Sequence, residues 1–205
     1  QPGTWKRELL YGKLHGILHA IVPVRWKGNR REQLLTASFL GLHRIERDRR
    51  GRVKVTGISK GDERACPQCG SSEVRLGKLG KRQFLAAIEP WHGNQVVVYA
   101  PAGKGWTRIV LESGMINGHG LAVGDLDGDG RDEIVCGFRG KGHKLTIYQA
   151  TDREGLSWGR QVLDDGGMAA ADCKIEDYTG DGRPDIACAG ASTANVKIYE
   201  NLGRQ

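Results

Sequence analysis

The sequence predicts an all-β fold made of repeats of about 50 residues. An acidic loop between two short apolar runs occurs twice at the same place in the repeat, and a strand that begins with Trp recurs at a similar spacing. The composition agrees, because 31 Gly against 3 Phe in 205 residues is typical of many tight turns between short strands.

The first acidic loop begins at Asp125 and places carboxylates at positions 1, 3, 5 and 9. Gly130 at position 6 permits a sharp turn of the backbone, and such a cage of hard oxygens suits Ca²⁺. The candidate ligands are Asp125, Asp127, Asp129, the carbonyl of Arg131, and Glu133. An acidic surface turn that holds no metal is the alternative interpretation.

The same pattern returns 52 residues later, with Thr179 in place of the second aspartate. Its candidate ligands are Asp177, Thr179, Asp181, the carbonyl of Arg183, and Asp185. An EF-hand would need a bidentate Glu at position 12 and helices on both sides, whereas both loops lie between short β-prone runs. We therefore expect strand, calcium loop, strand in two consecutive repeats.

The period extends into the half of the chain that lacks these aspartates. Residues 19–37 align with residues 119–137 without a gap, and Arg25, Lys27 and Asn29 stand at the positions of the three loop aspartates. The first half of the chain therefore keeps the predicted repeat but not the metal ligands.

A second marker is the pattern Trp-x-Arg-x-aliphatic-Leu, which begins at Trp5, Trp106 and Trp158. Each repeat then contains four antiparallel strands, and four short strands per unit at this period describe the blades of a β-propeller. We predict an outer strand at 4–11 and blades over about 12–58, 59–112, 113–164 and 165–205. Either the outer strand completes the last blade and closes a four-bladed ring, or the chain is part of a larger propeller with further blades as partners.

These residues resemble the FG-GAP or VCBS repeat proteins, whose blades carry Asp-x-Asp-x-Asp-Gly-x-x-Asp calcium loops between their first two strands. The resemblance covers essentially the whole chain, with two blades that match the calcium motif and two that depart from it. It implies the fold more strongly than the function, because one architecture hosts unrelated activities. A narrower resemblance, to the propeller of metal-dependent sugar lyases of the aldos-2-ulose dehydratase type, rests on the calcium blades together with residues 88–94 and 168–174.

Candidate functional residues gather on the face opposite the acidic loops, because alternate connections of antiparallel strands emerge on opposite faces. Cys69 aligns with His19 and His119 at the predicted mouth of the central channel, and Cys66 precedes it in a Cys-x-x-Cys pattern. These four residues are candidate Zn²⁺ ligands. A reduced cysteine pair or a local disulfide is the alternative for the Cys-x-x-Cys pattern.

The stretch from Glu89 to His92 is the most enzyme-like part of the chain. Glu89 and His92 are candidate catalytic base and acid, with Trp91 as a platform for a sugar ring. Alternatively, Trp91 packs on a neighbouring blade, His92 caps a turn and Glu89 pairs with an arginine. Further candidate contacts to a polyhydroxylated or anionic ligand are His43, Arg139, His143 and Asp172.

Charge and cysteine content exclude some classes of partner. The net charge of +7 is concentrated in residues 44–54, which lack interleaved aromatic residues, so we expect no nucleic-acid partner. No apolar run is long enough to span a bilayer. Among five cysteines, Cys136 and Cys188 occupy equivalent places in their repeats, and we expect both to be small buried hydrophobes. Calcium loops slightly favour an extracytoplasmic location, although unpaired core thiols are tolerated best under reducing conditions.

The leading functional hypothesis is a calcium-stabilised propeller with a carbohydrate-directed site on the face opposite the calcium loops. In this hypothesis the site is a metal-assisted sugar dehydratase that uses Zn²⁺ or Mg²⁺. The alternative is a non-catalytic module that binds carbohydrate or protein.

Overall fold

The computed structural model describes residues 3–26 and 28–203, so Lys27 of the first repeat lies outside the described residues. It confirms the all-β fold, with four antiparallel sheets arranged as the four blades of a propeller. The strands are β1 Leu18–Val24, β2 Gln33–Ser38, β3 Gly41–Arg47, β4 Val53–Ser59, β5 Glu73–Leu79, β6 Arg82–Glu89, β7 Gln95–Ala102, β8 Gly105–Ser113, β9 Gly118–Gly124, β10 Glu133–Phe138, β11 Lys144–Ala150, β12 Trp158–Asp165, β13 Ala170–Glu176, β14 Asp185–Gly190 and β15 Val196–Tyr199.

Each blade is a meander in which consecutive strands pair. Blade 1 contains β1–β4, blade 2 contains β5–β8, blade 3 contains β9–β12 and blade 4 contains β13–β15. Blade 4 thus has three strands within the described part of the chain, and residues 3–15 form no strand. The predicted outer strand at 4–11 therefore stays a prediction.

Alternation of side chains along the strands gives every blade two apolar faces. In β6, Leu85 points into the cluster between blades 1 and 2, whereas Phe84 points into the cluster between blades 2 and 3. In β10, Ile134 faces blade 2 and Val135 faces blade 4 in the same way. The core is therefore divided into layers between the blades, which fix the inner strands side by side around the channel.

The cysteine assignment from the sequence needs one correction. Cys136 is buried and free, as expected, but Cys188 forms a disulfide with Cys173. Cys173 and Cys188 are direct cross-strand partners in β13 and β14, whereas the partner of Cys136 is Leu121. The equivalent positions of Cys136 and Cys188 therefore do not give them the same chemistry.

No helix of the described residues is long and apolar enough to cross a membrane.

Candidate functional site

Three histidines from blades 1, 2 and 3 converge at the channel. His19 lies on β1, His92 lies in the loop between β6 and β7, and His119 lies on β9. Their ring centroids are 5.0 to 5.3 Å apart, and each ring offers a nitrogen atom within 4.8 Å of the others. His119 is near the start of β9 and the first acidic loop follows the end of this strand, so the two features lie on opposite faces.

Backbone and carboxylate oxygens orient two of these rings. Nδ1 of His19 lies 3.0 Å from the carbonyl oxygen of Ser72 and 3.1 Å from Oε1 of Glu73. Nδ1 of His119 lies 2.7 Å from the carbonyl oxygen of Ala171. Because a carbonyl only accepts hydrogen bonds, each Nδ1 carries a hydrogen, and Nε2 is the ring nitrogen that remains available to a metal ion. This arrangement is typical of metal-binding histidines.

The third ring, His92, faces His19 through Nε2. The two Nε2 atoms are 3.1 Å apart, close to the roughly 3.3 Å that separates two imidazole nitrogens sharing a tetrahedral zinc ion. Burial, followed by the charges of His19, His119 and Arg139, lowers the pKa of His92 to about 4. Burial also lowers the pKa of His119. Neutral imidazoles are the form that binds a metal ion.

His92 is held in a strained conformation. Its φ of 49° is rare for a residue other than glycine, and such strain clusters at functional sites. The ring of Trp91 stacks on it at 4.2 Å, and Phe39 contacts the indole edge-on at 5.4 Å. The amide of Trp91 also donates to the carbonyl of Cys69 at 3.1 Å. Trp91 therefore positions the His92 ring, rather than offering the open platform for a sugar that the sequence predicted.

Glu89 does not have the exposed position that a catalytic base needs. It is fully buried inside blade 2 and accepts hydrogen bonds from Ser71 at 3.0 Å and from Tyr99 at 2.5 Å. Arg108 binds its other oxygen at 2.7 and 2.9 Å. Desolvation raises the pKa of Glu89, and these three donors oppose that shift. These contacts favour the alternative interpretation, in which Glu89 pairs with an arginine, and the catalytic role of Glu89 stays a prediction.

The predicted cysteine ligands are corrected. Cys66 and Cys69 form a disulfide, so neither sulfur is a free thiolate for zinc. Two ligand-orienting residues, Ser72 and Glu73, were missed, because no motif marks them. Their contact with His19 follows only from the fold, which places β5 beside β1.

The remaining candidates lie at different distances from the cluster. Arg139 acts electrostatically on His92 and His119, donates to Oδ1 of Asn117 at 3.1 Å, and has a buried Nε without a partner among the described residues. His143 contacts the carbonyl oxygens of Gly140 and Gly166. His43 lies within the sheet of blade 1 beside Gly57, and exposed Asp172 binds Lys174.

The first acidic loop has the donors of a cation site. Asp125, Asp127 and Glu133 each place an oxygen within 4.8 Å of the others. Oδ1 of Asp125 is buried without a hydrogen-bond partner among the described residues. Burial and the neighbouring charges of the loop aspartates raise the pKa of Glu133 to about 7. Backbone amides of Gly130 and Leu126 donate to Asp125 and Glu133. The Gln149 amide donates to Asp127. Hard, converging oxygens of this kind fit Ca²⁺.

Protein donors engage the carboxylates of the second acidic loop more completely. Asp177 accepts from the amides of Gly180, Asp181 and Gly182, and Arg183 pairs with Asp181. Asp185 is buried and accepts from the amides of Tyr178, Thr179 and Asn201, and these bonds lower its pKa. This loop shows no comparable cluster of carboxylates within the described residues.

Comparison with known proteins gives two matches. The FG-GAP repeat family matches residues 117–148, which include β9, the first acidic loop, β10 and most of β11. Aldos-2-ulose dehydratase of Phanerodontia chrysosporium is 32% identical over 158 aligned residues, which cover 66% of this chain. The chain spans only 17% of the length of that relative.

The buried ion pair of Glu89 yields a prediction with an internal control. Arg108→Ala leaves a buried carboxylate without its counter-charge and should lower the free energy of unfolding by on the order of 3 kcal/mol. Arg160 occupies the same place in the Trp-x-Arg pattern of blade 3 but pairs with Glu112 from a largely exposed position, so Arg160→Ala should cost below about 1 kcal/mol. Urea denaturation measures both, and equal losses would contradict the assignment.

Proposed function

We propose that this propeller, which carries an FG-GAP repeat, binds a keto-sugar at the three-histidine cluster and dehydrates it with the help of a divalent metal ion. The observation that carries the proposal is the convergence of His19, His92 and His119 with their ring nitrogens facing one another. The similarity to a sugar dehydratase supports the substrate class. Because the chain spans a small part of that relative, the activity itself is a proposal.

The donor set fits zinc. Three neutral imidazoles are typical of catalytic Zn²⁺ sites, whereas Mg²⁺ prefers oxygen ligands. His19, His92 and His119 would hold the ion, with Ser72, Glu73 and the Ala171 carbonyl fixing the rings. When bound, such an ion polarises a carbonyl oxygen and makes the neighbouring C–H bond more acidic. His92 thereby changes role, from the acid or base predicted from the sequence to the third ligand.

The residues of the chain supply orientation around this centre. The stack of Trp91 on His92 fixes the ring plane, and the Arg139 guanidinium beside the cluster is a donor for the oxygens of a polyhydroxylated ligand. In the proposed reaction the carbon next to the sugar carbonyl loses a proton and the adjacent carbon loses its hydroxyl group as water. The product is an enone, and no oxidant or reductant is consumed.

A metal titration tests the ligand set. We expect His19→Ala, His92→Ala and His119→Ala each to weaken Zn²⁺ binding at least about tenfold, because each removes one of three ligands. His15, an exposed histidine of the N-terminal segment, provides the control His15→Ala, which should bind zinc like the parent chain. Competition with a chromophoric chelator measures the affinity. Unchanged zinc binding in all three cluster variants would contradict the site.

Turnover tests the reaction. The zinc-loaded chain, incubated with a panel of 2-keto and anhydro sugars, should produce the ultraviolet absorbance of an enone, and His119→Ala should abolish it. His15→Ala should retain full activity. Sugar binding that depends on the cluster without any enone would reject the dehydratase and leave a carbohydrate-binding module.

We further propose that the loop from Asp125 to Glu133 holds Ca²⁺ and stabilises blade 3. The pKa of Glu133 is raised from 4.5 to about 7 in the metal-free fold. The metal-free folded protein therefore keeps a proton that the unfolded chain releases, and it loses stability as the pH rises through about 7. A bound calcium ion compensates the carboxylate charges and removes this loss.

With chelator, the thermal midpoint should therefore fall between about pH 5 and about pH 8, and saturating Ca²⁺ should abolish the fall. Glu133→Gln should remove most of this pH dependence, while Glu176→Gln on the exposed end of β13 should retain it. Differential scanning fluorimetry measures these midpoints. A thermal midpoint that calcium changes neither at about pH 5 nor at about pH 8 would contradict an occupied site.

A further inference from the structure

Blade 4 combines an open strand edge with an open apolar cleft. The outer edge of β15 has no paired neighbour within the described residues. Beside it, between blades 3 and 4, lies a cleft of about 790 Å³. Its apolar lining includes Leu126, Ile147, Leu163, Ile186 and Tyr199. In blades 1, 2 and 3 the third strand is covered by a fourth strand.

The fourth strands of blades 2 and 3 fill the corresponding space with a tryptophan. Trp106 of β8 packs edge-on against Trp26 of blade 1, with ring centroids 5.9 Å apart. Trp158 of β12 packs against Phe84 of blade 2 at 5.3 Å. In each case the indole lies on the side of the preceding blade. The equivalent place in blade 4 is the cleft that faces blade 3.

An arginine of the fourth strand completes a second recurring contact. Arg160 lies directly opposite Tyr148 of the third strand, and both side chains bind Glu112 at the end of the preceding blade. Blade 2 pairs Arg108 with Tyr99 in the same register, but there both side chains bind Glu89 of their own blade.

Blade 4 contains the tyrosine and the carboxylate but not the arginine. Tyr199 donates to Oδ2 of Asp164 at 2.7 Å. Asp164 holds the place in β12 that Glu112 holds in β8. Lys197 of β15 also donates to Oδ2 of Asp164 at 2.7 Å, so a cation from blade 4 itself already meets this carboxylate. The arginine that blade 3 contributes from its fourth strand has no counterpart at Asp164 among the described residues.

One segment of the chain carries both side chains at the required spacing. Trp5, Arg7 and Leu10 match the Trp-x-Arg-x-aliphatic-Leu pattern of β8 and β12, yet the segment forms no strand. Trp5 is 91% exposed and Leu9 82% exposed. The segment's contact with blade 1 includes an ion pair between Glu8 and Arg47, both substantially exposed. An exposed pair contributes little, whereas burial of an indole contributes much more.

We propose that residues 5–10 add to β15 of the same chain as the fourth strand of blade 4 and close the four blades into a ring. Arg7 then lies opposite Tyr199 and reaches Asp164, Glu8 lies opposite Ile198, and Trp5 enters the cleft.

Reach and burial both permit this closure. Seven residues, 11–17, connect the segment to β1, whereas four residues join β8 to β9 and β12 to β13. Closure also covers apolar side chains on the outward faces of blades 1 and 4, the two ends of the row of blades. Ile21 of blade 1 is 60% exposed, and Val196 and Ile198 of blade 4 are 77% and 55% exposed. Such faces are buried at the other three junctions.

Pairs of introduced cysteines distinguish addition of residues 5–10 to β15 from the contact of this segment with blade 1. The full chain with Glu8→Cys and Ile198→Cys should form a disulfide within one chain under mild oxidation, detected by peptide mapping of the monomer. The matched pair Glu8→Cys with Arg47→Cys reports the contact beside blade 1 and should link much less. A link that forms only with Arg47→Cys, or only between two chains, would overturn the proposal.

The midpoint of thermal unfolding provides a second, independent test of the closure. Trp5→Ala should lower the midpoint by several degrees, and we expect the same of Trp158→Ala in blade 3, whereas Lys6→Ala should leave it unchanged. An unchanged midpoint in Trp5→Ala, beside a lowered one in Trp158→Ala, would overturn the closure. Neither result depends on the zinc site, so the outcome is independent of the proposed dehydratase activity.

Discussion

The apolar contact between neighbouring blades is the constraint on which the rest of the structure depends. The sheets of blades 2 and 3 bury one face against the preceding blade and the other against the following blade, as Leu85 and Phe84 show in adjacent positions of β6. This packing sets the inner strands β1, β5 and β9 side by side. His19 and His119, a hundred residues apart in the chain, come within 5.1 Å of each other as a result. The histidine cluster is therefore a product of the repeat.

The two faces of the propeller separate two kinds of chemistry. The acidic loop after β9 collects hard oxygens, and burial together with the charges of the loop aspartates raises the pKa of its Glu133 to about 7. The start of the same strand carries His119 beside His19 and His92, and burial lowers the pKa of His119. A strand that is seven residues long thus links a loop suited to calcium with a cluster suited to zinc.

Periodicity predicts what repeats, and it predicted the blades, the acidic loops and the alignment of His19 with His119. It could not predict contacts that depend on side chains from one blade meeting the interior of another. We expected Glu89 in a loop because Pro90 follows it and His92 lies three residues further on. In the structure Tyr99 and Arg108 enclose its side chain inside blade 2. Glu73 carries no motif and acts only because β5 lies beside β1.

The disulfide of blade 4 is different, because the sequence contained its signal. Glu176 and Asp185 flank the second acidic loop as a cross-strand pair, and equal steps outwards from them bring Cys173 opposite Cys188. The same count from the first loop places Leu121 opposite Cys136. Hairpin register, set by the length of the loop, would have distinguished the two cysteines where the comparison of repeats did not.

The central claim is that three blades share one metal ion at the channel. The most direct test is a crystal structure of the zinc-loaded chain with anomalous data collected at the zinc edge. The account predicts an anomalous peak between the Nε2 atoms of His19, His92 and His119, at about 2.0–2.1 Å from each. A fully zinc-loaded crystal in which the anomalous signal lies elsewhere, with these rings unliganded, would contradict it.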